Sequence, residues 1–229
     1  MPLFVLIPAI AIIATLLAEL PLFSRLGLSA LPLAILLGIG VGHLIRPAAE
    51  PLEICFADFC RQRLLRYGIV LFGFSISFVQ ILDLGWQVLL LDVMIILGIF
   101  LAGILVGIKV LKLESSAAML IAAGSAICGA AAVLATDSVV KSGQRHVSVA
   151  IATVVLFGTL AMFSYPLIYA LTNMDPYLFG IYIGSTVHEV AQAAAAGEVI
   201  GGAAMQNAVV VKLIRVMLLA PFLIILSIL

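Results

Sequence analysis

The sequence predicts an all-α polytopic membrane protein, a helical bundle in which two of the apolar segments are interrupted. Three observations carry this. Hydrophobic residues make up 65% of the 229 positions and charged residues only 10%, with a mean hydropathy of +1.36. The apolar residues fall in long blocks joined by short polar connections. Two of the blocks are rich in Ala, Gly and Ser and hold polar clusters at their centres. A soluble domain of this length keeps roughly a quarter of its residues charged to wet its surface. Here the charges are too few, so the surrounding solvent is lipid.

A transmembrane helix needs about 20 predominantly apolar residues. The plain candidates are Leu3–Leu20, Leu28–Ile45, Tyr67–Leu82, Val88–Ile108, Val147–Leu171 and Ala208–Leu229. The interrupted ones are Ser115–Val140 and Tyr177–Gly197. Between the second and third spans, Arg46 to Arg66 alternates charge with apolar residues Leu52, Cys55, Phe56 and Phe59 at 3-4 spacing, the pattern of a short helix lying in the interface. The pairs Gly38/Gly42 and Gly103/Gly107 allow close helix approach or serve as ordinary small residues of a crowded bundle. No linker divides the chain, so residues 1–229 read as one transmembrane domain. The N-terminus reads as a retained first span, since no basic leader precedes its apolar run.

Eleven basic residues balance eleven acidic ones, which excludes a strong field for nucleic acid. Locally the cations gather: Arg46, Arg61, Arg63 and Arg66 after the second span, Lys109 and Lys112 after the fourth. That side, with the N-terminus, is expected to be cytoplasmic. Lys141 and Arg145 follow Ser115–Val140 and join the same side only if that segment enters and returns as a hairpin; a broken helix that crosses is the alternative. Cys55, Cys60 and Cys128 form no CxxC pair and no His lies at ligand spacing, so no metal site and no cofactor are expected.

Candidate binding residues sit in the two interruptions. In the first, Gly124 and Gly129 bracket Ser125 and Cys128. Broken backbone at membrane depth survives only when buried or lining a wet cavity. A break at Gly124–Gly129 would aim the amides of Cys128 to Ala130 at an anion, with the Ser125 hydroxyl beside them. The alternative is a continuous helix with small residues for tight packing. The second interruption holds Ser185, Thr186, His188, Glu189 and Gln192. Ionisable groups at that depth mark a substrate or proton path, or a buried structural pair. On a regular helix, Ser185, Glu189 and Gln192 would share a face. Lys212 and Arg215 follow in the last span, read either as a cationic pair facing the cavity or as side chains snorkelling to the headgroups. Asp92 reads as a structural acid, and Asp137 with Lys141 as an i, i+4 pair.

The stretches Gly124-Ser-Ala-Ile-Cys-Gly-Ala-Ala-Ala-Val-Leu-Ala-Thr136, Val149–Thr159 and Phe179–Gln192, together with Ser29–Gly38 and Leu213–Phe222, resemble the YeiH-type family of bacterial inner-membrane proteins, named for sulfate export. The resemblance runs essentially end to end. It implies the superfamily of bile-acid symporters and cation/proton antiporters, an inverted-repeat transporter fold with interrupted helices at mid-depth. Chains of that family continue past the equivalent of Leu229, so a fragment of a longer transporter, or a chain completed by homo-oligomerisation, is expected, with part of the inverted repeat missing.

The function expected is secondary transport of a small anion, sulfate or a sulfonate, with a proton or Na⁺ as coupling ion. The site would comprise Gly124, Ser125, Cys128, Gly129, Ser185, Thr186, His188, Glu189, Gln192, Lys212 and Arg215. The rivals are a cation/proton antiporter using Glu189 or Asp137, a structural subunit or scaffold of a membrane complex, and an intramembrane enzyme with Cys128 as nucleophile and His188 as base. No enzyme activity is expected, because a thiol among small apolar neighbours is ordinarily inert.

Overall fold

A computed structural model describes residues 3–20, 30–45, 51–60, 63, 67 and 85–228. The expected span Tyr67–Leu82 lies outside the described residues apart from its first position. The chain divides into two compact units, Met1–Ile81 and Leu82–Leu229.

In the first unit, α1 (Leu3–Ala18) packs on α2 (Ala30–Ile45) and on α3 (Pro51–Phe59). The helix read from the 3-4 spacing after the second span is α3. Its Phe56 meets Phe4 edge to face at 6.2 Å, and the Glu53 Oε1 accepts from the Leu3 N–H at 3.3 Å.

The second unit is built on three long helices. They are α4 (Gly85–Leu105, prolonged by a π-helical turn, Val106–Val110), α7 (Gln144–Thr172) and α10 (Gly202–Ile228). At 26, 29 and 27 residues they are long and apolar enough to cross a membrane, since a rise of 1.5 Å per residue makes each roughly 40 Å long. Leu89, Leu90, Met94, Leu97 and Leu101 stand exposed along α4, a surface that water would not tolerate and acyl chains would. The molecule is an all-α polytopic membrane protein.

Both interrupted segments are hairpins. The first comprises α5 (Ser115–Ala126) and α6 (Ala130–Val140). Alanine neighbours let α5 lie antiparallel to α4: a Cβ at Gly103 would come 2.8 Å from Ala122 Cβ, and one at Gly107 2.9 Å from Ala118 Cβ. Of the two readings left open for this glycine pair, close helix approach is the one that holds. Against α7, α5 runs parallel. Glu114 Oε2 lies 3.5 Å from His146 Nε2 at one end, Leu120 packs with Ala150 further in, and Gly124 abuts Val154 deeper still. Since α5 and α7 start together and run the same way, α6 must return to the starting side, and Val133 folds back on Leu120 and Gly124. Ser115–Val140 re-enters rather than crosses, which brings Lys141 and Arg145 to the same end as Lys109 and Lys112.

The second hairpin comprises α8 (Pro176–Thr186) and α9 (Val190–Ile200). Asp175 caps α8, accepting from the Tyr177 N–H at 2.7 Å, with Pro176 in the first turn where its missing N–H costs nothing. Parallel packing of α8 on α10 brings Gly180 to Ala204 and Gly184 to Ala208 and Val211. Antiparallel packing of α9 on α10 brings Gly197 to Met205. Rings of α7 and α8 pair in antiparallel order, Tyr169 with Phe179 and Tyr165 with Tyr182, each at 5.1 Å. This hairpin therefore enters from the end opposite to the first. The expectation that Ser185, Glu189 and Gln192 share one helical face fails, because the chain leaves helical geometry at 187–189 and turns back.

The hairpins mirror one another in sequence as well. Helix α5 ends at 126 and α8 at 186, α6 begins at 130 and α9 at 190, and α6 ends at 140 and α9 at 200, a constant offset of 60. Gly124-Ser125-Ala126-Ile127 aligns on Gly184-Ser185-Thr186-Val187 at that offset. In each module the entering limb runs parallel to the long helix that follows. Within the second unit, the two hairpin modules are thus inverted counterparts of one another.

With the native cysteines replaced by serine, Ser115→Cys and Gln144→Cys should react with a membrane-impermeant maleimide from one side of the membrane. Asn173→Cys and Gly202→Cys should react from the other. Labelling of the first two from opposite sides would contradict the hairpin.

Candidate functional site

The two turns meet. Residues 127–129 join α5 to α6, and Gly129 there has φ 71°, a left-handed conformation glycine adopts without strain. It also needs the space: a Cβ at Gly129 would lie 2.9 Å from Glu189 Cγ and 3.4 Å from the His188 carbonyl oxygen. The tips therefore touch where two half-helices end and two begin. Each end leaves backbone groups without partners inside its own helix, carbonyls where α5 and α8 stop and N–H groups where α6 and α9 start.

The carbonyls are met by α10. Lys212 Nζ donates to the Ile127 carbonyl at 2.9 Å. Arg215 spans both hairpins, Nη1 donating to the Ser185 carbonyl and Nη2 to that of Ala126. Both cations have no solvent-exposed surface. Because α10 starts at Gly202, they sit in its third and fourth turns, so snorkelling is overturned. Helix C-termini carry partial negative charge and favour such cations. Each buried ion still costs several kcal/mol in lost hydration, and an acid offsets part of it. Asp92 of α4, fully buried, accepts from the Ser185 hydroxyl at 3.0 Å and interacts with both Arg215 and Lys212. Read from sequence as merely structural, it lies at the centre of the charge cluster.

The N–H groups of α6 have other partners. The Glu189 carboxylate accepts from the Ala130 N–H, and the Cys128 sulfur from the Ala132 N–H. Glu189 is half-buried and also faces Lys212. The opening amides of α9, on Val190, Ala191 and Gln192, have no partner within that helix. Two acids, Asp92 and Glu189, thus lie close enough to interact with the cations around the tips.

Of the residues singled out from sequence, Cys128, Gly129, Ser185, His188, Glu189, Lys212 and Arg215 come together here. Others do not. Gly124 lies inside α5, packed on Val133 and Val154, so the break begins after it, at Ile127. Ser125 is likewise within α5 and half-buried. Thr186 Oγ1 bonds the Tyr182 carbonyl of its own helix at 2.6 Å. Gln192 turns towards α7, Nε2 donating to Thr159 Oγ1 at 3.3 Å, where Gly158 leaves room for it. Asp137 stands near the far end of α6 and accepts from the Ser142 N–H and hydroxyl at 2.9 and 2.6 Å. Among the described residues, the Asp92 Oδ2, His188 Nδ1, Gln192 Oε1 and Arg215 Nε atoms are buried without a hydrogen-bond partner.

The family described as conserved hypothetical protein 698 matches residues 2–229, and the chain belongs to it. The UPF0324 inner membrane protein YeiH of Escherichia coli K12 is 50% identical over 211 residues, covering 91% of this chain and 60% of that protein. A UPF0324 membrane protein of Yersinia pestis is 46% identical over 215 residues, covering 91% and 59%. One of Pseudomonas aeruginosa is 44% identical over 225 residues, covering 96% and 63%. The chain spans about 60% of the length of these relatives. No solved structure matches it.

Removing Arg215 leaves two helix ends uncapped and Asp92 short of a counter-charge. Arg215→Ala should lower the unfolding free energy by about 3–5 kcal/mol, measured by thermal unfolding in detergent. The loss should be smaller when Asp92→Asn is already present.

Proposed function

For a member of this membrane-protein family, we propose secondary transport of a small anion, sulfate or a sulfonate, across the bacterial inner membrane. The observation that carries the reading is the meeting of two oppositely inserted hairpin tips beside two buried cations. The anion would sit against the opening amides of α9 and α6. There the positive ends of two half-helix dipoles converge. Lys212 and Arg215 act on it at one remove: bound to carbonyls, they hold the tips in place and raise the local potential. Oppositely inserted hairpins also suit alternating access, since loosening either one opens the tips to one side.

We take the end that carries the exposed Lys109, Lys112, Lys141 and Arg145 as the cytoplasmic one, a reading supported by the positive-inside rule. Under the same rule along the sequence, the N-terminus would lie there too. A second reading, a cation/proton antiporter-like carrier, is favoured by one feature, the acid Glu189 at the tip contact; Asp137 sits too far along α6 to serve it. We assign Cys128 no catalytic step, because its sulfur caps α6.

In proteoliposomes loaded with sulfate, the purified chain should give sulfate flux, and Glu189→Gln should reduce it at least tenfold while leaving the melting temperature within a few degrees. Cation-driven proton flux insensitive to sulfate would favour the second reading instead.

A further inference from the structure

The two modules align residue for residue through their turns except in what they offer at the tip. Cys128-Gly129 in one stands where His188-Glu189 stands in the other. The glycine leaves the space that the Glu189 side chain fills, and the carboxylate then takes the Ala130 N–H at the start of α6. A negative group already occupies the positive end of one half-helix, and it belongs to the protein. We propose that Glu189 is a tethered competitor for the transported anion: the anion gains the tip only when Glu189 is protonated and gives up the α6 amides, so each anion enters with one proton.

The inference rests on the anion-transport reading and adds its coupling ion. The step balances simply, since the carboxylate takes one proton from the aqueous side and the departing carboxylic acid leaves the Ala130 N–H to the anion. Electrostatics favour such a device. An ionised Glu189 faces Lys212 and sets a negative charge where the anion would enter, at the Ala130 N–H. Protonating Glu189 removes that charge from the tip contact. The titratable or charged groups facing Glu189 are Cys128 in the first turn and Lys212 on α10, with His188 beside it in its own turn. Asp92 of α4 and Arg215 interact with that same Lys212. Two buried nitrogens without hydrogen-bond partners, His188 Nδ1 and Arg215 Nε, belong to this cluster.

The test is calorimetric binding of sulfate to the purified chain in detergent from pH 5 to 8, a range over which sulfate keeps its charge. Wild-type affinity should fall as pH rises, approaching tenfold per unit once Glu189 is ionised, as one-proton linkage demands. Glu189→Gln should bind sulfate at pH 8 at least tenfold more tightly than wild type, with a flat pH profile. His188→Gln should keep the wild-type slope. Equal, pH-independent affinities in wild type and Glu189→Gln would overturn the inference and leave anion transport standing. Loss of binding in Glu189→Gln, with the fold intact, would make Glu189 a ligand and not a competitor. Loss of the slope in His188→Gln would move the coupling to the imidazole. Absence of sulfate and sulfonate binding in all variants would overturn both the inference and the transport reading.

Discussion

The second unit depends on the donation of α10's two cations to the carbonyls that end α5 and α8. A re-entrant hairpin leaves orphan carbonyls where its limbs meet, and inside an apolar bundle such groups need partners. A lysine and an arginine in the middle of an apolar helix are equally untenable alone. Each feature removes the other's cost. Lys212 fixes the first turn through Ile127, and Arg215 ties Ala126 of one hairpin to Ser185 of the other. Asp92, held by the Ser185 hydroxyl, brings α4 into the same network and supplies the negative charge it needs.

Around that network the chain builds one motif twice in opposite directions. The entering limb of each hairpin runs alongside the long helix that follows, and small residues set how closely they approach: Gly124 against Val154, Gly184 against Ala208. Symmetry ends at the tips. One contributes a thiol and a glycine, the other an imidazole and a carboxylate, so the junction of two similar halves has a direction. That polarity is what an electrostatic coupling between ligand and proton requires, and a symmetric pair of glycine turns would lack it.

Much of this was legible in the residues. Apolar block length and scarcity of charge gave the class, and Gly, Ser and ionisable groups inside apolar blocks marked both interruptions. Placement of Lys141 and Arg145 pointed to re-entry of the first segment. The repeat was also written there, in Gly124-Ser125 and Gly184-Ser185 sixty positions apart, but four matching small or β-branched residues are faint against so much Ala, Gly and Val. Asp92 passed for a structural acid because nothing local distinguishes it; its partner Ser185 is 93 residues away. Gln192 was drawn into the site by helical periodicity, which presumes an unbroken helix through 187–189, and Thr186 by its place in the same polar cluster.

What the sequence determined by itself was the solvent, the helical class, the positions of the two interruptions along the chain and the identity of the ionisable groups placed there. These follow from hydropathy and local backbone preference, which need no knowledge of neighbours. Tertiary structure alone decided which way each hairpin turns, that the tips meet, and that Lys212 and Arg215 serve backbone carbonyls. Those outcomes are set by pairings between segments tens of residues apart: glycines and alanines fixing helix registry, and buried charges finding the partners that lipid denies them.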